Sequence, residues 1–238
     1  MIQATQKNVI KGTELVRCLS KLAVTNIEVS HTKFAEKLGN LIDLSDSIAL
    51  SQALKSLTNI TISSSDQTGA AIQSDFLEHR MALIESINKN FTSGSGFLLF
   101  RAQKNKLNSD LGEPVKYQVY QRFYLSQQST LGSKVQTLHS QVRDSVEGRS
   151  PRLMSLAALD SAMSYCLSDH TRKLFSIVPS LLAKRFILLQ KDNTSVDWIA
   201  TFQQEMQQVL LAELEVRLQP VIGLIEALNE EVDIQTHD

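Results

Sequence analysis

Residues 150–190 read SPRLMSLAALDSAMSYCLSDHTRKLFSIVPSLLAKRFILLQ, and residues 198–229 read WIATFQQEMQQVLLAELEVRLQPVIGLIEALN. Apolar side chains recur three and four residues apart in both stretches: Leu153, Leu156, Ala157, Met163 and Leu167, then Leu174, Phe175, Val178, Leu181, Leu182 and Phe186, then Ile199, Phe202, Met206, Val209 and Leu210. That spacing lines one face of an α-helix, so the stretch predicts several core-facing helices. The punctuation agrees. Gly148 predicts the end of one helix, and Ser150-Pro151 supplies an N-cap followed by a proline at the first helical position. Ser168-Asp169 predicts a second cap with a new helix after it. Pro179 predicts a break near Ile177, and the polar run KDNTSVD predicts a turn before a final helix beginning near Ser195. Within that helix Glu213 and Arg217 stand at i, i+4 in the favourable order. Pro220 predicts a kink or a fresh start carrying Val221, Leu224, Ile225 and Leu228, and the acidic tail from Glu230 is expected to fray.

Working back along the chain, Pro114 suits the first turn of a long helix reaching Glu147. Its stripe is Tyr117, Tyr120, Tyr124, Leu131, Val135, Leu138, Val142 and Val146, a heptad-like pattern interrupted at Gln127 and Gln128. Two readings follow: a bundle helix, or a protruding coiled coil that meets another protein. Phe76, Leu83, Ile84 and Ile87 mark a helix from about Ser74 to Phe91, and TSGSGFLLF is a break leading to Phe100. Residues 58–75 are rich in Ser, Thr and Gly and read as a polar linker. Before them come three short helices, the first capped by Thr13 with Leu15, Val16, Leu19 and Leu22 inward, the second from Ser30 and the third from Ser45. The expected organisation is a short-helix subdomain over 1–57, a linker over 58–75 and a main helical bundle over 76–238, forming one compact unit. The fold class is all-α: only nine Gly and four Pro serve 238 residues, too few turn formers for an all-β or doubly wound fold.

Charge is sorted along the chain. Residues 1–100 carry 9 basic and 9 acidic side chains, residues 101–191 carry 14 and 6, and residues 192–238 carry 1 and 10. The net charge of -1 argues against a protein that grips phosphate backbones, so no nucleic-acid partner is expected. Either the acidic final helix lies beside the basic middle and the fields cancel, or one face docks a complementary partner. In the second case the contact residues would be Arg149, Arg152, Arg172, Lys173, Lys184 and Arg185, joined by Tyr117, Tyr120 and Tyr124 of the long helix.

The chemistry of a known catalyst is hard to find. The five histidines are scattered, with no HExxH or Glu-x-x-His spacing, and SGSG at Ser93 lacks the lysine of a phosphate loop. Cys18 and Cys166 sit in separate apolar segments and read as buried thiols. Asp169-His170 reads as a helix cap rather than an acid–base pair. No cofactor or metal is expected. No run is long and charge-free enough to span a membrane and the N-terminus does not read as a secretory leader, so a cytoplasmic location is expected.

The blocks RSPRLMSLAALDSAM, VPSLLAKRF and FQQEMQQVLLAELEVRLQPVIGLIEAL, with LVRCLSKLA, FAEKLGNLIDLSDSIALSQAL and YQRFYLSQQ upstream, resemble an uncharacterised bacterial family of helical proteins, a domain of unknown function. The family pattern carries a tryptophan-rich WLGWTDAI where this chain has Leu41 to Ile48 without tryptophan. Members tend to be encoded beside proteins similar to motor stators and peptidoglycan-binding envelope proteins. The resemblance implies an accessory component associated with an envelope complex, and it assigns no site residue. The expected function is non-enzymatic protein interaction, as a scaffold or accessory protein. The rivals are an enzyme or small-ligand binder with an interhelical pocket near Tyr165, Cys166 and His170, and a homo-oligomeric structural module.

Overall fold

The computed structural model describes residues 13–22, 46–48, 51–52, 55, 68–94, 96, 98–102, 116–192 and 198–237. Among them every regular element is a helix: α1 (Glu14–Lys21), α2 (Gly69–Thr92), α3 (Tyr117–Glu147), α4 (Pro151–Ser176), α5 (Val178–Asp192) and α6 (Trp198–His237). The second predicted short helix lies outside the described residues, as does most of the third.

α6 is the spine. Its 40 residues span about 60 Å at the helical rise, and α1 to α5 all pack against it. Val209, Leu210, Ala212, Glu213 and Leu214 are all at most 2% exposed, so this helix is buried along more than one face, as a central helix must be. α3 lies along α6 and presents Tyr120, Tyr124, Leu131, Val135, Leu138, Val142 and Val146 to the core. The heptad-like stripe is therefore a bundle seam, not a protruding arm. Leu15, Cys18, Leu19 and Leu22 bring α1 into the same core.

Local chemistry explains most boundaries. Thr13 Oγ1 accepts from Val16 N at 3.4 Å, and Ser150 Oγ accepts from Leu153 N at 3.2 Å with Pro151 opening the helix. Gly148 caps α3, and the α4/α5 break falls at Ile177, just before Pro179. Both cysteines are buried thiols outside any disulfide. Gly96 is required where it stands: a Cβ there would lie 2.5 Å from the Phe123 ring, and that close approach delivers Phe100 to the core at 2% exposure.

Four sequence expectations are corrected. α2 begins at Gly69, because Thr68 Oγ1 caps Ala71 N at 3.3 Å and Ile72 is buried; residues 69–75 are helix rather than linker. α3 begins at Tyr117 after an extended Lys116, later than expected, and Pro114 lies outside the described residues. Ser168 and Asp169 start no helix: α4 runs through them because both are exposed and neither Gly nor Pro interrupts the ladder, and Asp169 pairs with Arg172 at 3.2 Å instead. α6 runs through Pro220 as one helix and continues to His237, so of the two expectations at Pro220 the fresh start is the one overturned.

Aromatic side chains tie one end of the bundle together. Phe91, Phe100 and Phe123 pack edge to face or tilted at 5.1–5.8 Å, and Phe100 stacks on Tyr120 at 5.2 Å. Phe186 then meets Tyr117, Tyr120, Trp198 and Phe202 at 5.1–5.6 Å, joining α5 to α3 and α6.

Candidate functional site

A long open groove runs between α3, α4 and α6, with a volume of about 1050 Å³. α3 contributes residues from Gln121 to His139, α4 from Asp160 to Ser176, and α6 contributes Val216, Arg217 and Pro220, while Pro179 and Ser180 of α5 close one end. Its walls mix Leu125, Val135, Met163, Leu167, Leu174 and Phe175 with hydroxyl and amide side chains. Leu125 and Leu174 are 44% and 57% exposed on its rim.

Beneath the floor lies a buried polar centre. Glu213 is 0% exposed; its carboxylate accepts from Tyr124 Oη at 2.7 Å and from Gln128 Nε2 at 2.9 and 3.0 Å, with Arg217 at 3.6 Å. Burial pushes the Glu213 carboxyl above its ordinary value, against the opposing pull of Gln128, Tyr124 and Arg217. Burial likewise lowers Arg217 and raises Tyr124 well above the usual phenol range. The Arg217 guanidinium lies 3.8 Å from the Phe175 ring centroid, and its Nε is buried without a hydrogen-bond partner. Gly132 faces it across the floor, where a Cβ would sit 3.5 Å from Nη1. Pro220 has no N–H to give the Val216 carbonyl, so that acceptor lacks its helical donor at the same floor. Gln127 and Gln128, which interrupt the seam in sequence, serve different neighbours: Gln127 accepts from Asn90 of α2, and Gln128 donates to Glu213 and to the Phe175 carbonyl.

At the far end Asp160 accepts from Arg143 Nε at 2.7 Å and faces His139 Nε2 at 2.8 Å. Burial would raise the Asp160 carboxyl, but the hydrogen bonds from His139 and Arg143 prevail and hold it below its ordinary 3.8. Its contribution is therefore complete above pH 3.8 and is lost as pH falls through the lower folded value. Asp160→Asn is expected to cost about 1.5–3 kcal/mol at pH 7, the range for hydrogen bonds to charged groups. Urea unfolding at pH 7 and below pH 3 checks this, the gap to the unmodified protein closing in acid.

The residues expected at a contact surface are not gathered in one place. Tyr120 and Tyr124 are fully buried, so a partner meeting the folded protein does not reach them, and Tyr117 is half-buried with its hydroxyl donating to the Pro179 carbonyl. Arg185 is held by Glu205 in a two-pronged pair at 2.5 and 2.8 Å, and Arg152 reaches Glu230 at 3.2 Å and Glu231 at 3.8 Å. Arg149 Nε donates to the Ser145 carbonyl. Lys173 and Lys184 are exposed, and Arg172 lines the groove. With Arg80 on Glu215 at 2.9 Å and Arg217 by Glu213, the acidic α6 is largely matched by cations of its own chain. Tyr165 is 76% exposed, His170 is half-buried, and Cys166 Sγ lies 3.8 Å from the Asp46 carbonyl. None of the three lines the groove. Among the described residues no helix is long and apolar enough to cross a membrane, and no three His, Cys, Asp or Glu side chains gather as a metal site.

Fold and groove together define an all-α bundle around one central helix, with an open, mixed-polarity channel along its side. The chain belongs to the family described as Protein of unknown function (DUF3348), whose model matches residues 1–230. No curated protein and no solved structure matches it.

Proposed function

We propose that the protein is a non-catalytic interaction module that docks another protein in the groove between α3, α4 and α6. The observation that carries this reading is the groove itself: an open channel of about 1050 Å³ with Leu125 and Leu174 exposed on its rim. Large apolar side chains flanking a concave, partly polar surface mark interaction sites more often than bare solvent-facing ones do. The neighbourhood implied by the family resemblance makes an envelope-associated complex the setting for such an accessory protein. A photo-reactive amino acid placed at Leu125 or Leu174 is expected to capture a discrete protein in cells, and one at exposed Ile187 on α5 is not. Purified complex should then form with a measurable Kd. Capture of the chain by itself would move the reading to self-assembly. Absence of any groove adduct, with a monomer at low and high salt, would overturn it.

A further inference from the structure

We infer that the occupant of the groove is an acidic amphipathic helix of a partner protein, one of whose carboxylates is received by Arg217. This rests on the interaction reading above and names the partner's chemistry.

Three features point to a helix. Between Gln121 and His139 the groove follows α3 over 19 residues, about 27 Å at the helical rise, which matches about five turns of a second helix. Its walls are all helices, so they offer no row of backbone donors and acceptors for an extended peptide to pair with. A partner segment must satisfy its own backbone, and a helix does so. The apolar wall positions then receive side chains at helical spacing, as in other helix-in-groove complexes.

Charge selects an acidic segment. The carboxylate of Asp160 is taken up by His139 and Arg143, and that of Glu213 is sealed beneath the floor. Arg217 and Arg172 remain on the lining. Arg172 has only a solvent-exposed pair with Asp169, 78% and 70% exposed, which contributes little and is readily exchanged. Arg122, one turn before Leu125, is exposed and has no ion pair among the described residues. Arg217 is the distinctive group. Its planar fork is stacked on Phe175 and paired with Glu213 through Nη2 at 3.6 Å, while Nη1 lies toward Gly132 on the groove lining, which suits a second carboxylate approaching from the open side. Gly132 leaves the space for that approach.

The position of Arg217 also argues against an acyl chain. A fatty acid carries its one carboxylate at an end, whereas Arg217 lies opposite Gly132, well inside a lining that extends from Gln121 to His139. A helix can present a carboxylate at any turn.

The test uses the full chain and two labelled 18-residue model helices that share a leucine stripe, one with glutamate and one with lysine on the flanking positions. Fluorescence anisotropy should give the glutamate peptide at least tenfold tighter binding at low salt. The rim variant Leu125→Gln/Leu174→Gln should weaken it about tenfold. Arg217→Lys keeps a cation beside Glu213 while removing the planar fork, and should also weaken it about tenfold with the helical circular dichroism spectrum retained at the assay temperature. Equal binding of both peptides, no binding of either, or rim variants without effect would overturn the inference. So would palmitate binding that the same variants abolish, which would give the groove to an acyl ligand. If photo-capture at Leu125 succeeds while the glutamate peptide fails, the partner chemistry falls and the interaction reading stands.

Discussion

Glu213→Ala is expected to destabilise the protein by about 3–5 kcal/mol, the loss seen when one member of a buried ion pair is removed. Three groups lose their partner at once: the Arg217 guanidinium, the Tyr124 hydroxyl and one donor of Gln128. None can turn to bulk water easily, since Tyr124 is fully buried and the Arg217 side chain is 17% exposed. The pair itself stabilises far less than its removal costs. Burial shifts both groups toward their neutral forms, raising Glu213 and lowering Arg217. Replacing the set together, as Glu213→Leu/Arg217→Leu with Tyr124→Phe, should therefore recover most of the loss. Denaturant unfolding of the singles and the combination as a cycle checks this; a combination no better than Glu213→Ala alone would contradict it. The pH dependence has a definite sign. With a folded pKa above the ordinary 4.5, the native state holds this proton more tightly than the unfolded chain. The group's contribution is greatest below pH 4.5 and declines as pH rises through its folded value, opposite to that of Asp160.

Phe186→Ala should cost a similar amount, about 3–5 kcal/mol, for a different reason. Phe186 is 2% exposed and is the one ring that touches Tyr117, Tyr120, Trp198 and Phe202 together. Its removal opens a cavity where α5 joins α3 and α6, and forfeits the edge-to-face contacts that add to simple burial. Trp198 is the only tryptophan and lies 5.2 Å from the Phe186 ring, so its emission reports the site directly. The expected result is a red shift in the folded variant and a lower denaturant midpoint, with Phe186→Leu losing less. An unchanged midpoint would show that α5 is held by other contacts.

Much of this architecture is legible in the sequence because it depends on local rules. The α3 stripe, the Ser150-Pro151 entry and the break before Pro179 each follow from spacing or from one residue's backbone chemistry. The misplacements arise where local signals were true but not decisive. Ser168-Asp169 can cap a helix, yet with no breaker beside it the ladder continues. Gly69 to Asp75 is poor in charge and rich in small polar residues, but Thr68 caps it and Ile72 buries it. The groove was hardest to see, because it depends on which helices become neighbours. Glu213 and Arg217 read only as an i, i+4 pair in the favourable order. Glu213 does stand among Val209, Leu210 and Leu214, a sign of burial, and Gln128 interrupts an apolar seam in the same way. That these two interruptions answer each other across α3 and α6 needs the interhelical register, which no single-helix periodicity contains.

The central place of α6 also orders events during synthesis. The helices made first, α1 among them, bury their apolar faces against a helix translated long after them. Until Trp198–His237 has left the ribosome, the stripes of α1 to α5 have no spine to close upon. The nascent chain therefore spends most of its elongation with seam residues open to water, a long window for chaperone capture, and reaches its core in a late step that joins distant parts of the sequence.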